Sequence, residues 1–204
     1  LQGPGGRVAD IIDRLLESSE PSVRFKIRTG VLGADPASPD LVGLREQIRE
    51  SPRVRALLAG RDEEGRLPWP AYRKWTGSHW VLSLLAELGY PAKDPDVTGL
   101  VDQTTEWVLA LKPRVVASRV RRCASQEGNV LLSLVRLGFL DERARELARR
   151  LRQWQWPDGG WNCDKRPEAI HSSFMETLIP LRALALHARL TASAESWRAT
   201  VRAA

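Results

Sequence analysis

Cysteine is scarce in this chain. Cys123 and Cys163 are its two cysteines among 204 residues, too few for the framework of a disulfide-stapled secreted domain. A reduced, cytoplasmic setting is the simplest expectation. Long apolar runs are missing as well. No stretch approaches the ~20 residues that cross a bilayer, so no transmembrane segment is expected. The opening Leu1-Gln2-Gly3-Pro4-Gly5-Gly6 has none of the charged and apolar regions of a signal peptide. Alternating β-branched runs are rare, whereas alanine, leucine and arginine dominate. The expected fold class is therefore all-α.

What the chain has in quantity is positive charge, +6 net, most of it arginine. Arginines gather at Arg114, Arg119, Arg121 and Arg122, and again at Arg143, Arg145, Arg149, Arg150 and Arg152. A nucleic-acid footprint has this composition. Asp141, Glu142 and Glu146 interleave with the second group, however, as on an ion-paired and solvated helix face. No recognisable nucleic-acid module accompanies either group, so nucleic acid is not the expected partner.

Apolar periodicity places the helices. Val8 to Glu17 has one apolar face at Val8, Ile11, Ile12, Leu15 and Leu16. Ser22 to Leu32 comes next, with Val23, Ile27 and Val31 expected inward, then Pro39 to Glu50 and a short helix from Pro52 to Leu58. These four form a HEAT-like lead-in over residues 1–60. Beyond it, Trp80 to Leu88, Pro95 to Leu111, a helix starting near Gln126, Asp141 to Trp154, Phe174 to Leu186 and Ser193 to Ala204 are predicted. Gly89 and Gly138 each end a helix, and Lys112-Pro113 ends another.

The second part, residues 61–204, repeats. Trp69 and Trp161 lie 92 residues apart, as do His79 and His171, and each histidine leads into an apolar helix. Asn129 to Leu137 supplies a copy near the midpoint, giving a period of roughly 45 residues, the size of a helix hairpin. In the last copy Gln155, Gly159 and Trp161 fall in the order Gln-x-x-x-Gly-x-Trp. A glycine pair lets the chain reverse tightly after a helix. An indole then covers the turn, and a glutamine amide can satisfy backbone groups at a neighbouring helix end. An ordinary Gly-rich turn explains the glycines but not the Gln/Trp spacing.

This turn and repeat length resemble the terpenoid-cyclase and protein-prenyltransferase α/α-toroid superfamily. The resemblance implies a partial α/α toroid whose inner helices, starting at His79, Gln126 and His171, line an apolar cavity. Fewer hairpins are present than a closed toroid requires, so an open arc, or a chain cut short after Ala204, is expected. It further implies an isoprenoid-handling protein. Two enzyme signatures of the superfamily are absent. No Asp-x-Asp-Asp motif is present; Asp94-Pro95-Asp96 and Asp62-Glu63-Glu64 are the nearest acids, both in loops, where the dry neutral carboxyl that alkene protonation needs is not expected. The Asp-x-Cys zinc motif of prenyltransferases is absent too, with His171 standing near its cysteine position.

On that footing the candidate catalytic residues are His79, His171 and Glu176. Trp80 and Phe174 would line an apolar pocket, although they and Met175 read first as plain core. Arg73 and Lys74, and one double repeat later Lys165 and Arg166, would face a diphosphate or simply solvent. Cys163, Asp164, Glu168 and His171 put four ligand-capable groups within nine residues, and zinc is the cofactor such groups would take. The same residues also read as turn caps, a helix start and a small half-buried thiol. The rival to an isoprenoid pocket is a non-catalytic helical scaffold that binds a protein partner.

Overall fold

A computed structural model describes residues 4–204, with side chains from Asp10 onward. The opening Leu1-Gln2-Gly3 and the inward face read for Val8 lie outside that description. Ten α-helices and one two-stranded hairpin organise the described residues. The helices are α1 (Pro4–Leu16), α2 (Pro21–Lys26), α3 (Pro39–Arg49), α4 (Pro52–Leu58), α5 (Ser78–Leu88), α6 (Thr98–Ala110), α7 (Ala124–Arg136), α8 (Glu142–Trp154), α9 (Phe174–Thr191) and α10 (Ala194–Ala203). The class is all-α. No described helix is long and apolar enough to cross a membrane.

Local chemistry sets the starts. Proline opens α2, α3 and α4, where its missing N–H has no intrahelical partner to lose. Ser51, Asp141 and Ser193 cap α4, α8 and α10 through their side-chain oxygens. Gly89 ends α5 with φ +87° and Gly138 comes just after α7 with φ +77°, the left-handed conformation that glycine adopts without a Cβ penalty. The lead-in differs from its periodic pattern at Ile11, which is exposed although it belongs to the apolar face of α1, and again after α2. A π-turn at Ile27–Val31 continues α2, and its extra residue rotates Val31 into solvent while Phe25 is buried.

The hairpin is the one departure from helix. Strand β1 (Arg114–Val116) pairs antiparallel with β2 (Arg119–Arg121), Val115 opposite Val120. Its two-residue turn, Ala117-Ser118, has φ +48° and +59°, the geometry that matches strand twist in tight hairpins.

Helices α5, α7 and α9 run side by side. Ser83 and Ser133 meet through their hydroxyls, and farther along Lys93 N–H donates to the Leu137 carbonyl, so α5 and α7 point the same way. Ser125 N–H donates to the Glu176 carboxylate, and Gly128 lies against Pro180, so α7 and α9 are parallel too. A Cβ at Gly128 would come within 2.9 Å of the Pro180 backbone nitrogen. Glycine on one helix and a proline without an N–H on the other permit this close approach. Each of the three helices also contacts the next helix in the chain, α6, α8 or α10. Leu82, Leu85, Leu100, Leu131, Leu134, Leu147, Leu151 and Leu184 fill the shared core.

Candidate functional site

The segment between α8 and α9 is a loop fastened at four points. Trp161 is buried, and its indole N–H donates to the Leu151 carbonyl at 2.9 Å. Trp156 reaches the hairpin, donating from Nε1 to the Val120 carbonyl at 2.9 Å. Asp158 accepts from Ser172 N–H at 2.6 Å, and the Trp161 carbonyl accepts from Ser173 N–H. Gln155 donates its amide to the Gly159 carbonyl at 2.7 Å and to the Ala199 carbonyl at 2.8 Å. Gln155, Gly159 and Trp161 thus hold the turn closed and tie it to α10.

Two residues beyond Trp161 the chain presents Cys163 to the first turn of α9. Its Sγ lies 3.5 Å from Glu176 Oε1. The other carboxylate oxygen of Glu176 accepts from Ser125 N–H at 2.9 Å, at the start of α7. Cys123 precedes α7 directly, and the Sγ atoms of Cys123 and Cys163 and a Glu176 oxygen all lie within 4.8 Å of one another. Among the described residues this is the one group of three ligand-capable side chains close enough to share a metal ion. Burial pushes the Cys163 thiol up to about 12, and the adjoining Cys123 thiol and Glu176 carboxylate add to the rise.

Of the metal-ligating set read from the sequence, only Cys163 enters this cluster. Asp164 pairs with Arg166 at 2.6 Å, and that hydrogen-bonded guanidinium holds its carboxyl at about 2. Glu168 and His171 are exposed, and the His171 carbonyl accepts from the Asn162 amide. Glu176, read as catalytic, joins the thiols instead of His171. Cys123 is absent from the sequence-derived candidates. The available signal is that it precedes one repeat helix as Cys163 precedes the next.

A second cluster surrounds the start of α5. His79 is 1% exposed. Its ring meets Trp80 and Trp107 edge-on at centroid distances of 5.2 and 5.3 Å, with Tyr72 at 5.1 Å. Tyr72 stacks on Trp107, and Trp75 tilts against Trp80 at 5.1 Å. Tyr72 and Trp75 remain partly open to solvent, at 42% and 60% exposure. Burial alone lowers His79 to about 4, so at neutral pH it is an uncharged imidazole. A group this reluctant to hold a proton accepts protons poorly and carries none to donate to an alkene.

The basic candidates are largely engaged elsewhere. The Arg73 guanidinium lies 3.7 Å over the Trp69 ring, and the Lys74 ammonium is 5.3 Å from the Trp75 centroid. Arg166 is paired with Asp164, while Lys165 is exposed. Phe174 and Met175 are also exposed, at 78% and 76%. The structure therefore keeps His79 and Trp80 together in one cluster and brings Glu176 to Cys163 in another. It leaves His171 and Phe174 on the surface near the start of α9.

Two buried acids have no counterpart among the sequence-derived candidates. The first is the loop acid Asp94, which accepts from the Tyr90 hydroxyl at 2.9 Å and pairs with Arg49 at 2.8 Å. The second, Glu127 on α7, is fully buried and pairs with Arg122 at 2.9 Å. Burial raises its pKa against the pull of that arginine. An i, i+5 spacing across a helix start gives no pattern by which to foresee this pair.

No protein-family model, no curated protein and no solved structure matches this chain.

Proposed function

We propose that the chain handles an isoprenoid or a similar apolar small molecule, as an arc of the α/α-toroid class with α5, α7 and α9 as its inner wall. The observation that carries this reading is the partly open cluster of Tyr72, Trp75, Trp80 and Trp107 around a neutral His79. Aromatic faces bind polyene chains by area and favour any positive charge that develops along them. The parallel succession of three helices, each packed on its successor, and the Gln155/Gly159/Trp161 turn support the architecture. Phe174, Met175 and Leu178 add exposed apolar area on α9.

The reading is one of binding, since the buried, neutral His79 at the centre of the cluster carries no proton to donate to an alkene. The test is tryptophan fluorescence during titration with farnesol and with farnesyl diphosphate. Saturable quenching is expected, weakened severalfold and up to about tenfold by Trp80→Ala, given that an aromatic contact contributes about 0.5–1.5 kcal/mol beyond its area. Linear, non-saturating quenching by both compounds would sink the proposal. The second reading, a scaffold for a protein partner, rests on the solvent-facing Phe174–Met175–Leu178 strip. It predicts no saturable binding of either compound.

A further inference from the structure

We propose that Cys123, Cys163 and Glu176 form a binding site for a thiophilic divalent cation, zinc foremost, with one coordination position left to water or a ligand. These side chains are separate from the aromatic cluster, so the site stands or falls independently of isoprenoid binding.

Geometry comes first. Around a tetrahedral zinc with Zn–S of ~2.3 Å and Zn–O of ~2.0–2.2 Å, ligand atoms lie roughly 3.5–3.8 Å apart. The three atoms here already fall within 4.8 Å, and one pair is at 3.5 Å. Contraction by about an ångström, within reach of small side-chain rotations, completes the set. The framework beneath them is fixed. Cys123 occupies the N-cap position of α7, Glu176 belongs to the first turn of α9, and Gly128 against Pro180 holds these helices at close range. Cys163 is held by the Trp161 anchor two residues before it.

The ligand chemistry narrows the ion. Two sulfurs and one carboxylate suit zinc and other borderline-soft cations and reject magnesium and calcium, which take oxygen alone. Glu176 also carries the supporting contact that metal-binding carboxylates commonly have. Its second oxygen accepts from Ser125 N–H, which fixes the plane of the carboxylate and turns Oε1 toward the thiol.

Of the arginines that flank the ligands in the chain, two are paired with carboxylates; Arg121 is not, and its charge would offset part of the excess negative charge that two thiolates and a carboxylate place around a divalent ion. Arg122 is neutralised by Glu127, and Arg166 by Asp164. Arg121 donates to the Ala169 carbonyl and lies over the Trp156 ring at 4.4 Å. With Asp164 engaged and His171 exposed, no fourth protein ligand is in place among the described residues. Three protein ligands and an open position is the arrangement of reactive rather than purely structural zinc sites. Both thiols are half-buried, not sealed, so an incoming water or thiol can reach the ion.

The experiment uses the full chain, purified under reductant and stripped with a chelator. Zinc is titrated against a chromogenic chelator, and cobalt(II) is added separately as a spectroscopic reporter. One zinc per chain is expected, with release of about two protons as the thiols bind. Cys123→Ser, Cys163→Ser and Glu176→Gln should each weaken binding by about tenfold or more. Cobalt should give a thiolate-to-metal charge-transfer band and tetrahedral visible absorption. If a cysteine variant fails to fold in chelator, the wild-type cobalt spectrum still decides, as does protection of both cysteines from iodoacetamide by zinc. Equal zinc affinity in the Cys123→Ser/Cys163→Ser chain would overturn the proposal. So would a cobalt spectrum without the thiolate band, alkylation unaffected by zinc, or a reduced chain that takes up no metal.

Discussion

The side-chain amide of Gln155 donates to the carbonyl of Ala199, 2.8 Å away on α10, and at the same time to the Gly159 carbonyl at 2.7 Å. One amide thereby fastens a turn to itself and to the last helix. Arg202 completes the contact by donating to Gln155 Oε1 at 2.9 Å from its Nε. Gln155→Ala removes the shared donor and leaves two carbonyls in need of water. The expected loss is about 1–2 kcal/mol, at the modest end because the site is only half-buried. Urea denaturation, comparing midpoints at unchanged slope, measures it.

That turn is legible in the sequence because its chemistry is local. Gln155, Gly159 and Trp161 act over seven residues, and their spacing alone suggests a closed reversal beneath an indole. The same holds for Gly89 and Gly138 as helix ends. The hairpin at Arg114–Arg121 is not legible. Its turn places Ala117 and Ser118 at positive φ, where Asn-Gly would have announced itself. The thiol–carboxylate cluster is half legible. Cys163 and Glu176 both stand out in the sequence, but in separate roles. Their meeting with Cys123 depends on how closely α7 approaches α9, a distance set by Gly128 and Pro180 that no one-dimensional pattern states.

Gly159 and Gly33 make a matched pair for testing the turn. Both have positive φ, +92° and +68°, so alanine at either costs about 1–2 kcal/mol in backbone strain. At Gly33 a new methyl meets nothing within 4 Å. At Gly159 it would overlap the Arg202 carbonyl oxygen, backbone that cannot rotate aside. Gly159→Ala should therefore lower thermal stability clearly more than Gly33→Ala. Equal melting temperatures would show that α10 shifts freely away from the turn.

Trp161 separates burial from hydrogen bonding. Trp161→Ala empties a fully buried indole site and should cost about 3–5 kcal/mol. Trp161→Phe keeps much of the apolar contact but removes the donor to the Leu151 carbonyl, for a smaller loss of about 1–3 kcal/mol. Chemical denaturation of both variants provides the comparison. The variants should also differ in whether Cys163 stays beside Glu176: zinc affinity should fall further in Trp161→Ala than in Trp161→Phe.

His79 makes stability depend on pH in a direction set by its burial. Its unfolded value is near 6.5 and its folded value about 4, because desolvation penalises the imidazolium. Above about pH 7.5 the ring is neutral in both states and contributes nothing pH-dependent. As pH falls from 6.5 toward 4, the unfolded chain takes up a proton that the folded chain refuses. Stability is therefore lost through that window, by as much as about 3 kcal/mol if the whole shift is expressed. The carboxylates of Glu146 and Asp164, both held at about 2 by arginine partners, lose their contributions at lower pH, mostly below about 4.5. A His79→Gln chain cannot titrate at this position, so its melting temperature should decline less than that of the wild type between about pH 6.5 and 4.5. The two curves should then run parallel above about pH 7.5, offset only by the cost of the altered packing. Parallel curves through the acid window as well would mean that the imidazole charges inside its aromatic surround without penalty.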